Sequence, residues 1–204
     1  MQYPRVRIPL SQSCGGIPRI INYYEDSNQL IVIEEYISGT SLQEKIDNSD
    51  LSVSDIRSYM IMLCNILEAL HSMTPPIIHR DIKPSNIIIT SYNYAMLLDF
   101  NAAKQFSGQH ESDTVLIGTP GYAAPEQYGF GSSSPKQTYI PSALYCAKCL
   151  AASLVPDIAQ FARLNLIAER CTQMTPAARY QSVAELKMPY RSHIILRSTA
   201  LLLP

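Results

Sequence analysis

The stretch His79-Arg80-Asp81-Ile82-Lys83-Pro84-Ser85-Asn86 constrains this chain more than any other. It places an anion, a cation and an amide between two β-branched runs, Ile77-Ile78 and Ile87-Ile88-Ile89. Such runs read as short strands, which confines the polar residues to a loop at the strand ends. Asp81, Lys83 and Asn86 together are suited to holding a hydroxyl nucleophile, a phosphate and a divalent cation close to one another. Two further motifs follow, Asp99-Phe100-Asn101 and Gly118-Thr119-Pro120-Gly121-Tyr122-Ala123-Ala124-Pro125-Glu126. Taken singly, Asp81 or Asn86 reads as a residue that caps a turn. The order of all three motifs is what argues for a site.

The remaining segments read as its scaffold. Residues 1–16 carry two prolines and the pair Gly15-Gly16 without periodicity, and are expected to be irregular. Ile20 to Tyr24 and Leu30 to Ile37 read as an antiparallel hairpin joined by Glu25-Asp26-Ser27-Asn28, and Ser41 to Ile46 as a short helix. Ser52-x-x-Asp55 is a capping box that opens a helix running to about Met73. Ile56, Tyr59, Met60, Leu63, Ile66, Leu67 and Leu70 share one face of it at helical spacing. Cys64 and His71 lie beside that stripe as packing residues, and Thr74-Pro75-Pro76 ends the helix. Ala95 to Leu98 is a further short strand after the turn Ser91-Tyr92-Asn93. Ile158 to Met174 reads as helix, and Ser182-x-x-Glu185 as a second capping box.

Composition excludes several classes of function. A net charge of -1 offers no electrostatic reason to expect nucleic acid or an acidic membrane as partner. No apolar run is long enough to span a bilayer, and Met1 to Arg5 leads into no signal-like core. The five cysteines are odd in number and irregularly spaced, which reads as reduced thiols in a cytoplasmic protein. Cys146-x-x-Cys149 has no second ligand pair at metal spacing, so it reads as structural or accidental rather than as half a zinc site.

From about Ile17 to Leu186 the motifs resemble, in order and spacing, those of eukaryotic-type serine/threonine protein kinases of the bacterial-like kind. The resemblance implies an α+β, protein-kinase-like fold. It would comprise mainly the helical C-terminal lobe (residues 38–190), with a two-strand remnant of the N-terminal lobe (residues 17–37), an irregular segment 1–16 and a tail 191–204. It implies ATP and Mg²⁺ as cofactors and a serine or threonine of a protein as phosphate acceptor. Asp81 would then accept or orient the hydroxyl proton, and Lys83 would meet the transferring phosphate. Asn86 and Asp99 would give oxygens to Mg²⁺, a hard cation. Main-chain groups of Glu35 and Ile37 would bond adenine, with Ile88 beneath the ring and Glu34 guarding the pocket. His79 would pack on the Asp99-Phe100 turn, and Arg80 would pair with a phosphate or carboxylate on the activation segment. Thr119 would support Asp81, Thr114 is a candidate phosphorylation site, and Glu126 would form a buried ion pair with Arg179.

The chain departs from the family pattern in several places. It holds no glycine-rich phosphate cover, no strand lysine and no partner glutamate for that lysine. A unit charge 4 Å from a phosphate is worth about 4 kcal/mol at an effective dielectric near 20, so ATP is expected to be weakly held. Asn101 stands where a glycine is expected, at a position where asparagine tolerates positive φ. Between Pro135 and Val155 the family has a buried helix, whereas this chain places Pro141 inside the stretch Gln137 to Leu150. A local reading-frame shift would account for that stretch, and sequencing the DNA tests it. The expected function is therefore a serine/threonine kinase domain, truncated and of little or no turnover. The alternatives are a pseudokinase-like protein-binding module and a non-functional product of a frameshifted gene.

Overall fold

The computed structural model describes residues 15–26, 29–106, 119 and 158–191. Strands β1 (Ile20–Glu25) and β2 (Leu30–Glu34) form the expected antiparallel hairpin, with Tyr23 opposite Val32 and Tyr24 opposite Ile31. β2 stops at Glu34 rather than Ile37. The Glu35 N–H still donates to the Arg19 carbonyl, at 2.9 Å.

A second sheet forms the centre. β3 (Thr40–Ser41) pairs with β5 (Ile87–Ile89), which pairs with β6 (Ala95–Leu97), all antiparallel. β4 (Ile77–Ile78) pairs with β7 (Lys104–Gln105). The close approach of β3 to β5 depends on Gly39: a Cβ there would lie 2.4 Å from the Ile89 carbonyl oxygen. Helix α1 (Leu42–Asp47) starts after Ser41, whose hydroxyl accepts from the Glu44 N–H.

Helix α2 (Val53–His71) supports the sheet from one side. Its capping box is complete: the Asp55 N–H donates to Ser52 Oγ at 3.1 Å, and the Ser52 N–H to Asp55 Oδ2 at 2.9 Å. Ile56, Tyr59, Met60, Leu63, Cys64, Ile66, Leu67 and Leu70 are buried, so the expected stripe is the core face. The helix ends at His71, before Pro75 and Pro76. Burial pushes the Cys64 thiol up to about 12, which makes it an inert packing residue as expected. Gly15-Gly16 was expected to be irregular. Gly16 lies in a turn, with φ 93° against Ile66, and its carbonyl accepts from the Leu97 N–H at 2.7 Å. A left-handed residue this tightly packed requires glycine.

Two helices close the fold, α3 (Ile158–Cys171) and α4 (Val183–Arg191). α3 stops at Cys171, short of Met174, and Thr175, ahead of Pro176, is extended (φ -81°, ψ 117°). α4 lies against α2, where Lys187, only 8% exposed, meets Glu68 at 2.6 Å. Arg57 of α2 donates to the Tyr190 and Arg191 carbonyls at the C-terminal end of α4. The second capping box is half formed. Ser182 Oγ accepts from the Glu185 N–H at 3.0 Å, but the Glu185 carboxylate takes the Gln181 N–H and pairs with Arg170 instead. Among the described residues no helix is long and apolar enough to cross a membrane.

Gly39→Ala is expected to destabilise the fold by about 1–3 kcal/mol, because the methyl group would meet backbone that cannot rotate away. Gly15→Ala, where nothing lies within 4 Å, is expected to stay within about 0.5 kcal/mol of the parent. Urea unfolding of both variants followed by circular dichroism checks the pair, and equal midpoints would contradict the packing described for β3.

Candidate active site

β4 and β5 are buried, so the loop between them surfaces only at its polar residues. His79 is fully buried, with Nε2 3.0 Å from the Leu98 carbonyl and its ring edge-on to Phe100 at 4.7 Å. It therefore packs on the Asp99-Phe100 turn. Burial pushes its pKa down to about 4, against the smaller opposing pull of the Leu98 bond and two carboxylates. Arg80 is 4% exposed, with φ 67°, and its Nε donates to the Ala102 carbonyl at 2.6 Å. A non-glycine residue held at positive φ signals strain that the surroundings must sustain.

Asp81 sits at the centre of a small polar network. Lys83 Nζ lies 2.9 Å from Asp81 Oδ2 and 2.9 Å from Thr119 Oγ1. Thr119 gives both its hydroxyl, at 2.8 Å, and its N–H, at 3.1 Å, to Asp81 Oδ1. The roles are compatible: the threonine oxygen accepts from the ammonium and donates to the carboxylate. Burial pushes the Asp81 carboxyl up, but Lys83 and Thr119 together outweigh it and hold the group below the ordinary carboxylate range. Asn86 Nδ2 donates to the Asp81 carbonyl at 3.0 Å and to Oδ2 at 3.3 Å. Its amide oxygen is left for another partner.

Asp99 reaches this network through the backbone. The Leu98 N–H donates to the Asn86 carbonyl at 2.8 Å, so Asp99 is one residue beyond a direct bond to Asn86. Asp99 adopts the left-handed conformation (φ 64°, ψ 75°), and its Oδ1 accepts from the Asn101 N–H at 3.3 Å. Asn101 lies within a single 3-10 turn, Phe100–Ala102, so the turn forms with asparagine at the glycine position. The positive φ falls on the aspartate, so the glycine position does not need it. An amide oxygen and a carboxylate on adjoining strand ends are the kind of hard oxygen donors that Mg²⁺ accepts.

The nucleotide-contact candidates are less closely joined. The Glu34 carboxyl, at the end of β2, is pushed up by burial and then by the negative charge of Asp99. Glu35 is exposed and Ile37 half-buried where the chain leaves the hairpin. Ile88 is half-buried in β5, opposite Met96. Arg179 is 2% exposed and donates to the Gln173 and Met174 carbonyls at 2.6 and 3.0 Å. Glu126, Thr114 and residues 137–155 lie outside the described residues, so neither the Glu126–Arg179 pair nor the altered stretch is described. Sequence reasoning missed the main-chain groups of Leu98 and Ala102. Every residue carries such groups, and only their proximity to His79, Asn86 and Arg80 marks these two.

His71 and His79 both have pKa values lowered by burial to about 4, against an unfolded value near 6.5. The unfolded chain then binds more protons between those values, so the stabilising contribution is complete above about 6.5 and lost as pH falls toward 4. Thermal melts are expected to show stability falling by on the order of 1–3 kcal/mol per histidine across that window. A midpoint independent of pH between 7 and 4.5 would contradict the buried, neutral state of both rings.

Comparison with known proteins agrees with this geometry. The family described as the protein kinase domain matches residues 7–195. Serine/threonine-protein kinase PknA of Nostoc is 36% identical over 126 residues, covering 58% of this chain and 22% of that protein. Serine/threonine-protein kinase D of Synechocystis is 36% identical over 125 residues, covering 58% of this chain and 24% of the relative. A putative leucine-rich repeat receptor-like serine/threonine-protein kinase of Arabidopsis thaliana is 27% identical over 178 residues, covering 84% of this chain and 20% of its own length. The chain thus spans about a quarter or less of the curated relatives it matches. With the match covering nearly its whole length, and with Asp81, Lys83, Asn86 and Asp99 gathered at one end of the central sheet, the chain belongs to the protein kinase domain family.

Proposed function

We propose that the site transfers the γ-phosphoryl group of ATP to a serine or threonine hydroxyl of a protein. The observation that carries this reading is the Asp81 carboxylate fixed by Lys83 and Thr119 beside the Asn86 amide oxygen. The substrate hydroxyl oxygen attacks the γ-phosphorus, the bond to the bridging oxygen of ADP breaks, and the hydroxyl proton passes to Asp81. A carboxylate held below its usual pKa is a weak base, so Asp81 chiefly orients the hydroxyl and takes the proton late in the step. Lys83 neutralises charge on the transferring group. Mg²⁺, held by Asn86 and Asp99, would supply further charge neutralisation on the phosphates.

Glu35 and Ile37 contact adenine through their main chains in this reading, with Ile88 beneath the ring. Glu126 and Arg179 form a structural ion pair. Residues 17–37 serve as the hairpin and hinge, 38–190 as the helical body, and 1–16 and 191–204 as flanking segments. The buried thiols of Cys64 and Cys171 support a reducing, cytoplasmic setting. A second reading, a protein-binding module without turnover, is favoured by one observation: the apolar hairpin left bare, with Ile21 56% and Tyr24 59% exposed.

The test is transfer of labelled γ-phosphate to a serine-containing protein substrate. Asp81→Asn is expected to lower the rate by about 10²–10⁴-fold. Thr119→Ala, which keeps the N–H bond to Asp81, is expected to lose about tenfold, comparable to one charge-assisted hydrogen bond. Transfer unchanged in Asp81→Asn would overturn the assignment.

A further inference from the structure

The base of the β1–β2 hairpin is tied to the body through both of its strands. Ahead of β1, the Gly16 carbonyl accepts from the Leu97 N–H at 2.7 Å, and Ile17 is buried in the core. After β2, the chain runs from Glu34 to Gly39, where it packs on Ile88 and Ile89. Glu34, directly opposite Ile20, stands between these two anchors.

Side chains directly opposite each other in an antiparallel pair share one face of the ribbon. Ile20 packs against the core, so the Glu34 side chain leaves the ribbon on the face turned to the body. Its carboxyl is accordingly pushed up, by burial first and by the charge of Asp99 second. The next residue, Glu35, uses its carboxylate locally, accepting from the Arg19 N–H at 3.4 Å. Among the described residues the Glu34 carboxylate has no such donor. A partly desolvated carboxylate without a donor favours any ligand that brings one.

We propose that Glu34 sets the base preference of the nucleotide site, by accepting a hydrogen bond from the exocyclic amino group of adenine. The inference rests on the phosphoryl-transfer reading, in which main-chain groups of Glu35 and Ile37 meet the base edge and Ile88 lies beneath it. Glu34 immediately precedes those groups, so its carboxylate is the next polar group along that edge. Its chemistry is one-sided: an ionised carboxylate only accepts. The amino group of adenine satisfies it, whereas the carbonyl that guanine or hypoxanthine carries at the same ring position meets it with no proton between. A hydrogen bond to a charged group is worth about 10–100-fold in affinity. The ~10⁴-fold rejection reached by fully enclosed sites is beyond a residue as exposed as Glu34.

Main-chain groups also read the base, and a carboxylate repels every triphosphate. Both effects are the same for related nucleotides whichever side chain residue 34 carries, so the informative quantity is a ratio of affinities compared across variants. Titration of the full chain in Mg²⁺ with ATP, inosine triphosphate and purine riboside triphosphate, which lacks the amino group, followed by amide chemical shifts, gives these ratios even for weak binding. The parent is expected to prefer ATP to both analogues. Glu34→Met, which removes the acceptor, is expected to lower the preference for ATP over purine riboside triphosphate at least tenfold. Glu34→Gln, whose amide donates as well as accepts, is expected to lower the preference for ATP over inosine triphosphate at least tenfold. Both substitutions keep the side-chain length at an exposed strand end, and thermal melts check that the proteins compared are folded. Ratios unchanged across the three proteins would overturn the proposal and leave the phosphoryl-transfer reading standing, as would equal losses for all three nucleotides, the mark of a carboxylate that serves the cation. No shift with any triphosphate at millimolar concentration would overturn that reading and this inference with it.

Discussion

The hydrogen bond from the Leu98 N–H to the Asn86 carbonyl, 2.8 Å long, joins the two motifs that share the site. It extends the β5–β6 ladder one step past the Ile87–Leu97 pair, so the register of two buried strands sets the spacing of the polar groups beyond them. The ladder cannot slip without turning Ile87, Ile89, Ala95 and Leu97 away from the core. The Leu98 carbonyl is engaged as well, by His79, so this residue ties Asp99 to the loop from both sides. Two left-handed non-glycine residues, Arg80 and Asp99, flank the connection, and each costs roughly 1–3 kcal/mol of backbone strain. The buried strands and α2 are what sustain that strain.

The three carboxylates near this junction differ in a way that separates their roles. Asp81 faces a cation and a hydroxyl, which outweigh its burial and keep it anionic. Glu34 is pushed the other way, by burial and by the charge of Asp99. One end of the site is thus compensated within the chain, whereas the other holds two negative groups near each other.

Features written in local chemistry were legible in the sequence. The Ser52–Asp55 box and the α2 stripe need only the N-cap rule and a 3.6-residue period, and both are present as read. Readings failed where a distant group competes. Glu185 abandons the second box for Gln181 and Arg170, a partner 15 residues away. The turn after Asp99 was read as able to form with Asn101, and it does, with the left-handed conformation on Asp99, whose side chain takes the Asn101 N–H. Thr119, 38 residues from Asp81, was legible only through motif order, since no local rule brings the two together. The carbonyls of Gly16, Leu98 and Ala102 carry no side-chain signature at all.

The chain combines parts of unequal firmness. α2, the central sheet and α4 share one core, reinforced by Lys187–Glu68 and by Arg57 across the helix ends. The hairpin has no comparable packing, and regions with few buried apolar contacts open at the lowest free-energy cost. Glu34 stands at the boundary, the last residue of β2, with a carboxyl that responds to Asp99 on the firm side.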